Sequence, residues 1–420
     1  MSDIIVIGGG AAGLLAAGTA ANAGARVTLL ERNDKLGRKL AITGKGRCNL
    51  TNNVTLVNEL VANVPTNGRF LFSAFSKFMP ADTMELFESL GVPLKVERGG
   101  RVFPQSDNAY DIVDALNRFI TRAGVKRVTA RAKSLLIEDS RLCGVEDENG
   151  VHYNAGCVII CTGGVSYPQT GSTGDGYALA RQAGHTVIAP KPSLVALECH
   201  EGWCANAMGL TLKNVAVRVE NSRDYSVVYE DFGELLITHF GVSGPVILSA
   251  SAHLKGMEKG KYILHVDLKP SLNPEQLDKR IIREVAAAPS KSIFNMLAAL
   301  LPRSLVPVAA QLSGLNGALQ ANALTKQARG ELVNLLKDLT LTITGFRPIE
   351  EAVVTSGGVC VKELDPRTMQ SKLMPGVFFA GEVMDVDAYT GGFNLQTAFS
   401  TGFLAGIQAA DYVITERNGQ

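Results

Sequence analysis

The chain has 420 residues, of which 46% are hydrophobic and 19% are charged, enough for two or three domains with packed cores. The net charge of +1 excludes a broadly polycationic protein, so any nucleic-acid contact must rest on a local patch. Seven scattered cysteines without CxxC spacing argue against a metal site or a disulfide framework and favour reduced thiols in the cytoplasm. Because neither a signal peptide nor an apolar run of about 18 residues is evident, we expect no membrane association.

Residues 3–31 predict a strand, a glycine-rich turn, a helix and a second strand that ends in an acid. The turn has the pattern GxGxxG, whose glycines let the backbone turn tightly and approach a pyrophosphate at a helix N-terminus. The acid is placed to accept hydrogen bonds from a ribose. We therefore expect a dinucleotide, either NAD or FAD, to bind at Gly8, Gly10, Ala11, Ala12, Gly13 and Glu31.

The segment 32–53 follows directly and carries six cations against one acid, Asp34. A charge run of this kind is usually a solvated loop. Because this one leaves the nucleotide strand and holds two glycines between its cations, we expect it to fold over phosphates or an anionic substrate. Cys48 lies at its end, beside Asn49. The cofactor contacts expected in this segment are Arg32, Arg38, Lys39 and Gly46.

The middle of the chain contains a second glycine-rich strand end. Residues 54–124 are predicted to be mostly helical, and residues 125–155 alternate in the manner of a small antiparallel meander. A buried strand beginning at 157 then ends in Thr162, Gly163 and Gly164. Ligands of open α/β sheets collect at the carboxyl ends of the strands, so we expect these residues in the same crevice as the first turn. A plain strand-to-helix turn would have the same pattern.

Residues 190–350 differ in pattern from the α/β region before them. Strand-like segments between 215 and 268 predict an antiparallel sheet or barrel, and a helical block follows from 274 to about 339. We interpret this region as an inserted domain with a helical subdomain. Its polar turn at 238–245 contains His239, which could reach a substrate, although a lone histidine is more often structural.

The α/β pattern returns near residue 352. A third strand runs into glycine and acids, and two further glycines precede a final amphipathic helix. Backbone N–H groups at that helix N-terminus are a further place for a cofactor. The expected contacts are Gly381, Glu382, Asp385, Gly391, Gly392, Phe393 and Asn394.

These three elements, in this order, resemble FAD proteins of the glutathione-reductase type, which favours FAD over NAD. Several longer motifs, GRKLAITGKGRCNLTN, CTGGVSYPQTGSTGDGYALARQAGH, LLITHFGVSGP and AGEVMDVDAYTGGFNLQTAFSTG, resemble the BaiN/RdsA family of FAD-dependent oxidoreductases. The resemblance implies an α/β fold with a discontinuous Rossmann-like FAD-binding domain (1–190 and 352–420). It also implies an inserted antiparallel β-barrel-like domain (191–272 and 340–351) with a helical subdomain (273–339).

The resemblance implies several activities. One branch of the family is linked to reduction of uridine to dihydrouridine in 23S ribosomal RNA, another to reduction of a steroid C=C bond, and other relatives to aminoacetone oxidation. We favour the first, so the expected partner is 23S rRNA or an assembling ribosomal subunit. A small-molecule enone is the alternative. NAD(P)H would be a transient electron donor, since no second GxGxxG domain is visible. Cys48 is our candidate proton donor, and packing beside the flavin is its alternative role.

Overall fold

The computed structural model describes residues 3–419, which fold as two compact units. The first unit contains the chain up to Ser193 and from Ile349 onward, and the second contains Leu194–Pro348. The second unit is therefore inserted into the first. Each unit has a hydrophobic core of its own. None of the helices within residues 3–419 combines the length and the apolar character that a membrane span requires.

A five-stranded parallel sheet forms the centre of the first unit. Its strands, in spatial order β19-β10-β1-β2-β6, are β1 (Ile4–Ile7), β2 (Val27–Glu31), β6 (Lys126–Thr129), β10 (Cys157–Ile160) and β19 (Val377–Phe379). The inner strands are entirely buried, as expected for parallel strands that are covered on both faces. This sheet brings the carboxyl ends of β1, β10 and β19 to one edge, since the three strands are parallel neighbours.

Helices α1 (Ala11–Asn22), α6 (Ala109–Arg122) and α13 (Phe393–Gly419) are the long helices of this unit. Helices α1 and α13 approach so closely that glycine is required between them. A Cβ atom at Gly402 would lie 2.4 Å from the carbonyl oxygen of Ala12, and one at Gly406 would lie 2.6 Å from that of Ala16. The start of α1 is therefore positioned by the final helix.

The remaining elements of the first unit form small sheets and short helices. The sheets are β3-β5-β4, β7-β8-β9 and β11-β18. Their strands are β3 (Thr51–Asn52), β4 (Leu94–Glu97), β5 (Arg101–Pro104), β7 (Ala132–Glu138), β8 (Arg141–Asp147), β9 (His152–Asn154), β11 (Val187–Ser193) and β18 (Val354–Val359). The helices are α2 (Arg38–Ile42), α3 (Val57–Ala62), α4 (Phe72–Lys77), α5 (Pro80–Ser89) and α7 (Asp175–Gln182).

The second unit contains a closed six-stranded barrel of order β12-β15-β14-β13-β16-β17. The strands are β12 (Leu197–Cys199), β13 (Thr211–Asn221), β14 (Val227–Thr238), β15 (Gly241–Ser243), β16 (Tyr262–Asp267) and β17 (Leu339–Phe346). Its helices are α8 (Pro245–Ser251), α9 (Pro274–Ala287), α10 (Ile293–Leu297), α11 (Val306–Leu312) and α12 (Lys326–Lys337). Leu277 and Ile281 of α9 share one core with the barrel residues Val217 and Leu264. The barrel and the helices confirm the predicted fold class.

Candidate functional site

A cleft opens at the carboxyl edge of the parallel sheet, entirely within the first unit. It encloses about 1350 Å³ of empty space, a volume that includes the open solvent at its mouth. Most of the predicted cofactor residues line it: Gly8, Gly10, Ala11, Ala12, Glu31, Arg32, Arg38, Lys39, Thr162, Gly163, Gly381, Glu382 and Asn394. The ends of β1 and β10 therefore meet in one cleft, as predicted, and the end of β19 lines the same cleft.

The turn between β1 and α1 forms one wall of the cleft. Gly8 has φ of +102°, and a Cβ atom there would lie 2.6 Å from the carbonyl oxygen of Cys161. A Cβ atom at Gly13 would lie 1.9 Å from the carbonyl oxygen of Gly8, whereas one at Gly10 meets no atom within 4 Å. Gly13 therefore closes the turn from behind, while Gly10 leaves the cleft open in front of the N-terminus of α1.

Glu31 ends β2 with its carboxylate largely engaged by the protein. The Gly9 N–H donates to Oε2 at 2.6 Å, and the backbone N–H and side-chain amide of Asn33 donate to Oε1 at 2.8 and 2.7 Å. A carboxylate offers about four acceptor positions, so Oε2 can still accept from a ribose hydroxyl. Glu31 thus fixes the glycine turn while remaining available to a ligand.

An ion pair joins two predicted residues inside the cleft. Lys39 Nζ lies 2.7 Å from Glu382 Oε2 and donates to Ser166 Oγ at 2.7 Å. Glu382 Oε1 also accepts from the backbone N–H of Thr355 at 2.9 Å. The pair connects α2 with the chain after β19, and both residues line the cleft.

The basic segment after β2 divides into two parts. Arg32, Arg38 and Lys39, which were expected to contact the cofactor, line the cleft together with Lys35. Arg47, in contrast, pairs with Glu97 and with Asp107, and it lies 4.2 Å above the Phe103 ring. Its charge is therefore balanced by two acids that are distant in sequence but adjacent in the fold.

Cys48 is completely buried at the end of a contorted loop. Gly44, Lys45, Gly46 and Cys48 all have positive φ, between 56° and 84°, and such strain in non-glycine residues is concentrated at functional sites. Burial raises the pKa of the Cys48 thiol to about 12, against a smaller opposite effect of its hydrogen bond with Thr43. Arg47, the preceding residue, is engaged by Glu97 and Asp107. The thiol holds its proton at neutral pH.

The turn into α13 surrounds the N-terminus of that helix. Gly391 and Gly392 have φ of +117° and +101°, and a Cβ atom at Gly392 would lie 2.3 Å from the Thr51 carbonyl oxygen. Phe393 begins the helix and is buried. The side chain of Asn394 bonds both backbone groups of Ala388, at 2.9 and 2.7 Å. Asn394 thus closes the turn on itself.

The predicted positions Gly46, Gly164 and Asp385 are not part of the cleft lining. Gly164 contacts Thr355, so that a Cβ atom would lie 2.3 Å from its hydroxyl, and Gly46 has open space around it. Asp385 accepts from the Asn67 side chain at 2.9 Å, and burial raises its pKa. Their roles as cofactor residues remain predictions.

His239 belongs to the second unit. With Phe240 it forms the two-residue turn between β14 and β15, where Thr238 pairs with Gly241. Its side chain is exposed, and its ring meets that of Phe240 edge-on, with centroids 5.0 Å apart. A catalytic role for His239 stays a prediction.

Sequence reasoning missed several lining residues. Arg131 and Asp175 line the cleft together with Thr397, and Asp175 accepts two hydrogen bonds from Arg131 at 2.8 Å. Asp175 follows Gly174 and is the first residue of α7, and acids are common in the first turn of a helix, so this residue had a local signal in the sequence. Arg131 carries no such signal, because its partner lies 44 positions away.

Two features of the cleft test whether a dinucleotide fits. The N-terminus of α1 is open at Gly10, where an added Cβ atom meets no atom within 4 Å, so a pyrophosphate can approach the backbone. Oε2 of Glu31 accepts one hydrogen bond, from Gly9, and keeps a position for a ribose hydroxyl. These residues fit FAD.

Comparison with known proteins agrees with this geometry. The chain is 34% identical to the 3-dehydro-bile acid delta(4,6)-reductase of Clostridium scindens, over 98% of this chain and 100% of that protein. It is 33% identical to the ribosomal RNA dihydrouridine synthase of Escherichia coli, over 96% of each chain. The 3-ketosteroid-delta4-(5alpha)-dehydrogenase of Rhodococcus jostii RHA1 shares the fold, with a TM-score of 0.53 at 16% identity, over 97% of this chain and 96% of that one.

The family assignment rests on nearly the whole chain. The model of the HI0933-like protein Rossmann domain matches residues 2–408, which include both units. The two curated relatives are named as a reductase and as a dihydrouridine synthase. The chain belongs to the HI0933-like Rossmann family and is an oxidoreductase of the BaiN/RdsA type.

Proposed function

We propose that this protein uses FAD and NAD(P)H to reduce a C=C bond conjugated to a carbonyl group, and that its substrate is uridine in 23S rRNA. The carrying observation is that two relatives, each about one-third identical over nearly the full chain, have names that describe the addition of two hydrogens to such a bond. The substrates differ, but the bond chemistry is common to both.

Different residues of the cleft would hold different parts of the cofactor. The Gly8–Ala12 turn and the N-terminus of α1 would hold the pyrophosphate, and Glu31 the adenosine ribose. Lys39 and Glu382 would bind the ribityl region. When bound, FAD supplies the hydride-transfer chemistry. The N-terminus of α13 would lie at the flavin, where the partial positive charge of a helix start stabilises an anion.

Protein side chains would position the substrate and deliver the proton. Reduction of an enone requires an acid that protonates the α-carbon, and such an acid contributes typically about 10²–10⁴-fold. Cys48 carries a proton at neutral pH, because burial raises its pKa to about 12. It lies on the loop that follows the cleft residue Thr43. We propose Cys48 as this acid.

The choice of rRNA as substrate can be tested in cells. Mass spectrometry of 23S rRNA from cells with and without the gene would be compared. We expect one dihydrouridine to be lost without the gene and restored by the wild-type chain. An unchanged dihydrouridine pattern would overturn the rRNA proposal.

A small-molecule enone is the second candidate, because the bile-acid reductase matches over its complete length. Purified protein would be incubated with NAD(P)H and a 3-keto-4-ene steroid, and NAD(P)H consumption and product mass followed. Steroid reduction without any effect on rRNA would favour this candidate. Formation of peroxide from an amine without NAD(P)H would favour an oxidase instead.

A further inference from the structure

Three charged side chains from different elements meet at one end of the cleft. Asp175, the first residue of α7, accepts from Arg131 Nη2 and Nε, each at 2.8 Å. Its Oδ2 also lies 3.2 Å from Nη1 of Arg32, the residue that follows β2. Thr173 accepts from Arg32 at 2.6 Å and donates to Asp175 at 3.0 Å. One carboxylate thus joins two guanidinium groups.

This cluster lies where the adenosine part of the cofactor is expected. Arg32 follows Glu31 directly, and Arg32, Arg131 and Asp175 all line the cleft. The hydrogen bonds from Arg131 lower the pKa of Asp175, so its carboxylate is ionised at neutral pH. Guanidinium groups offer flat cationic faces that stack on purine rings.

A second contact joins the same two segments. The Asn33 side chain donates to the carbonyl oxygen of Thr170 at 3.2 Å. Between Thr170 and Asp175 the chain contains Gly171 and Gly174, with φ of +108° and +83°. The segment before α7 is therefore irregular, and side-chain contacts, without any strand pairing, hold it to the residues that follow β2.

We propose that Arg32, Asp175 and Arg131 form a clasp that closes over the adenosine part of bound FAD and sets the rate at which the cofactor leaves. The proposal rests on FAD being the cofactor. It assigns Arg131 and Asp175 as positioning residues, with no part in the chemistry. Exposed ion pairs contribute little to stability, so the same cluster would have small effects if it only braced α7.

The test compares FAD with FMN, which lacks the adenosine half. Apoprotein would be prepared from the wild type, Asp175→Asn and Arg131→Gln. The matched control is Lys133→Gln, which removes an exposed cation that pairs with Glu146 at 3.8 Å on the neighbouring hairpin. Flavin fluorescence would give the FAD dissociation rate and the FMN dissociation constant, and thermal unfolding of the apoproteins would report folding.

We expect FAD to leave Asp175→Asn and Arg131→Gln at least ten times faster than the wild type and Lys133→Gln. FMN affinity should be equal in all four proteins. Asp175→Glu, which keeps the carboxylate, should recover much of the slow release. Raised salt should speed release from the wild type but not from Asp175→Asn, since screening weakens the same ion pairs.

Two outcomes contradict different parts of the account. Equal FAD release from the variants and the control, with normal unfolding temperatures, would overturn the clasp but leave FAD as the cofactor. A parallel loss of FMN affinity would also overturn it, because the cluster would then act on the whole site. Failure of the wild type to bind either flavin would overturn the proposed function itself.

Discussion

At the scale of single residues, Gly10 and Gly13 occupy the same turn but meet different surroundings. A Cβ atom at Gly10 has open space, whereas one at Gly13 would lie 1.9 Å from the Gly8 carbonyl oxygen. We expect Gly10→Ala to unfold at the wild-type temperature yet lose FAD, because its methyl group would occupy the pyrophosphate position. Gly13→Ala should lose both stability and FAD. Thermal unfolding and flavin content measure these effects, with Gly156→Ala as the control in open space.

We propose that Cys48 donates the proton to the α-carbon of the substrate. Cys48→Ala should retain FAD and NAD(P)H oxidation but lose reduction of the substrate by about 10²-fold or more. The control is Cys157→Ala, which alters another fully buried thiol, in β10. Product formation is measured by mass spectrometry under single-turnover conditions. Wild-type product formation by Cys48→Ala would remove Cys48 from the mechanism.

We expect His185 to make the stability of the fold depend on pH. Its buried ring contacts Glu363 at 3.2 Å and Ser371 at 2.7 Å, and burial lowers its pKa. The unfolded chain therefore binds the proton more readily, so stability is full above about pH 6.5 and falls as the pH drops below it. Urea unfolding between pH 5 and 8 should show this slope.

Two variants separate His185 from other groups. His185→Gln should reduce the pH slope of the free energy of unfolding over that range, whereas a change of the exposed His152 to Gln should not. An equal slope in His185→Gln and the wild type would show that another group is responsible.

The site residues that could be predicted are those that belong to a motif of residues close together in the sequence. Glu31 follows from its spacing after GxGxxG, and the glycines follow from the turn itself. Arg131 and the acids that bind Arg47 could not be predicted, because these contacts join residues that are 44 to 60 positions apart. The sequence shows that the segment 32–53 is basic, whereas the acids that pair with its cations are identified only in the folded structure.

At the scale of elements, the close packing of α13 on α1 predicts that glycine-to-alanine changes in two helices alter stability in opposite directions. Gly402→Ala would push a methyl group to 2.4 Å from the Ala12 carbonyl oxygen, which should cost about 1–3 kcal/mol of unfolding free energy and weaken FAD binding. Gly330→Ala, in α12, meets open space and should stabilise by up to about 1 kcal/mol. Denaturant unfolding measures both. Equal effects would contradict the close packing.

Some elements differ from their predicted form for physical reasons. Residues 126–129, predicted within a meander, instead form the edge strand β6 beside β2, where polar side chains tolerate exposure. Strand β14 runs unbroken from Val227 to Thr238, across the acidic residues Glu230 and Asp231, which separate two strand-like segments in the sequence. Barrel pairing with β13 keeps the intervening polar residues extended, and local pattern does not reveal such pairing.

At the scale of the whole molecule, the order of three glycine-rich strand ends along the chain was the main basis for predicting the cofactor cleft. The glycine turn, the Thr-Gly-Gly strand end and the Gly-Glu strand end are separated by more than 100 residues, yet all line one cleft. Parallel pairing of β1, β10 and β19 explains this. The substrate has no comparable signature, because the net charge of +1 suits an RNA footprint that is local or a small molecule.

The central claim is that FAD in this cleft passes reducing equivalents to a conjugated C=C bond. The most direct test incubates the purified flavoprotein anaerobically with NAD(P)H and 23S rRNA from cells lacking the gene, followed by mass spectrometry of the nucleosides. The account predicts that one uridine gains two hydrogens, with the wild type and not with Gly10→Ala. Oxidation of NAD(P)H with no gain of two hydrogens in this RNA or in an added steroid enone would contradict it.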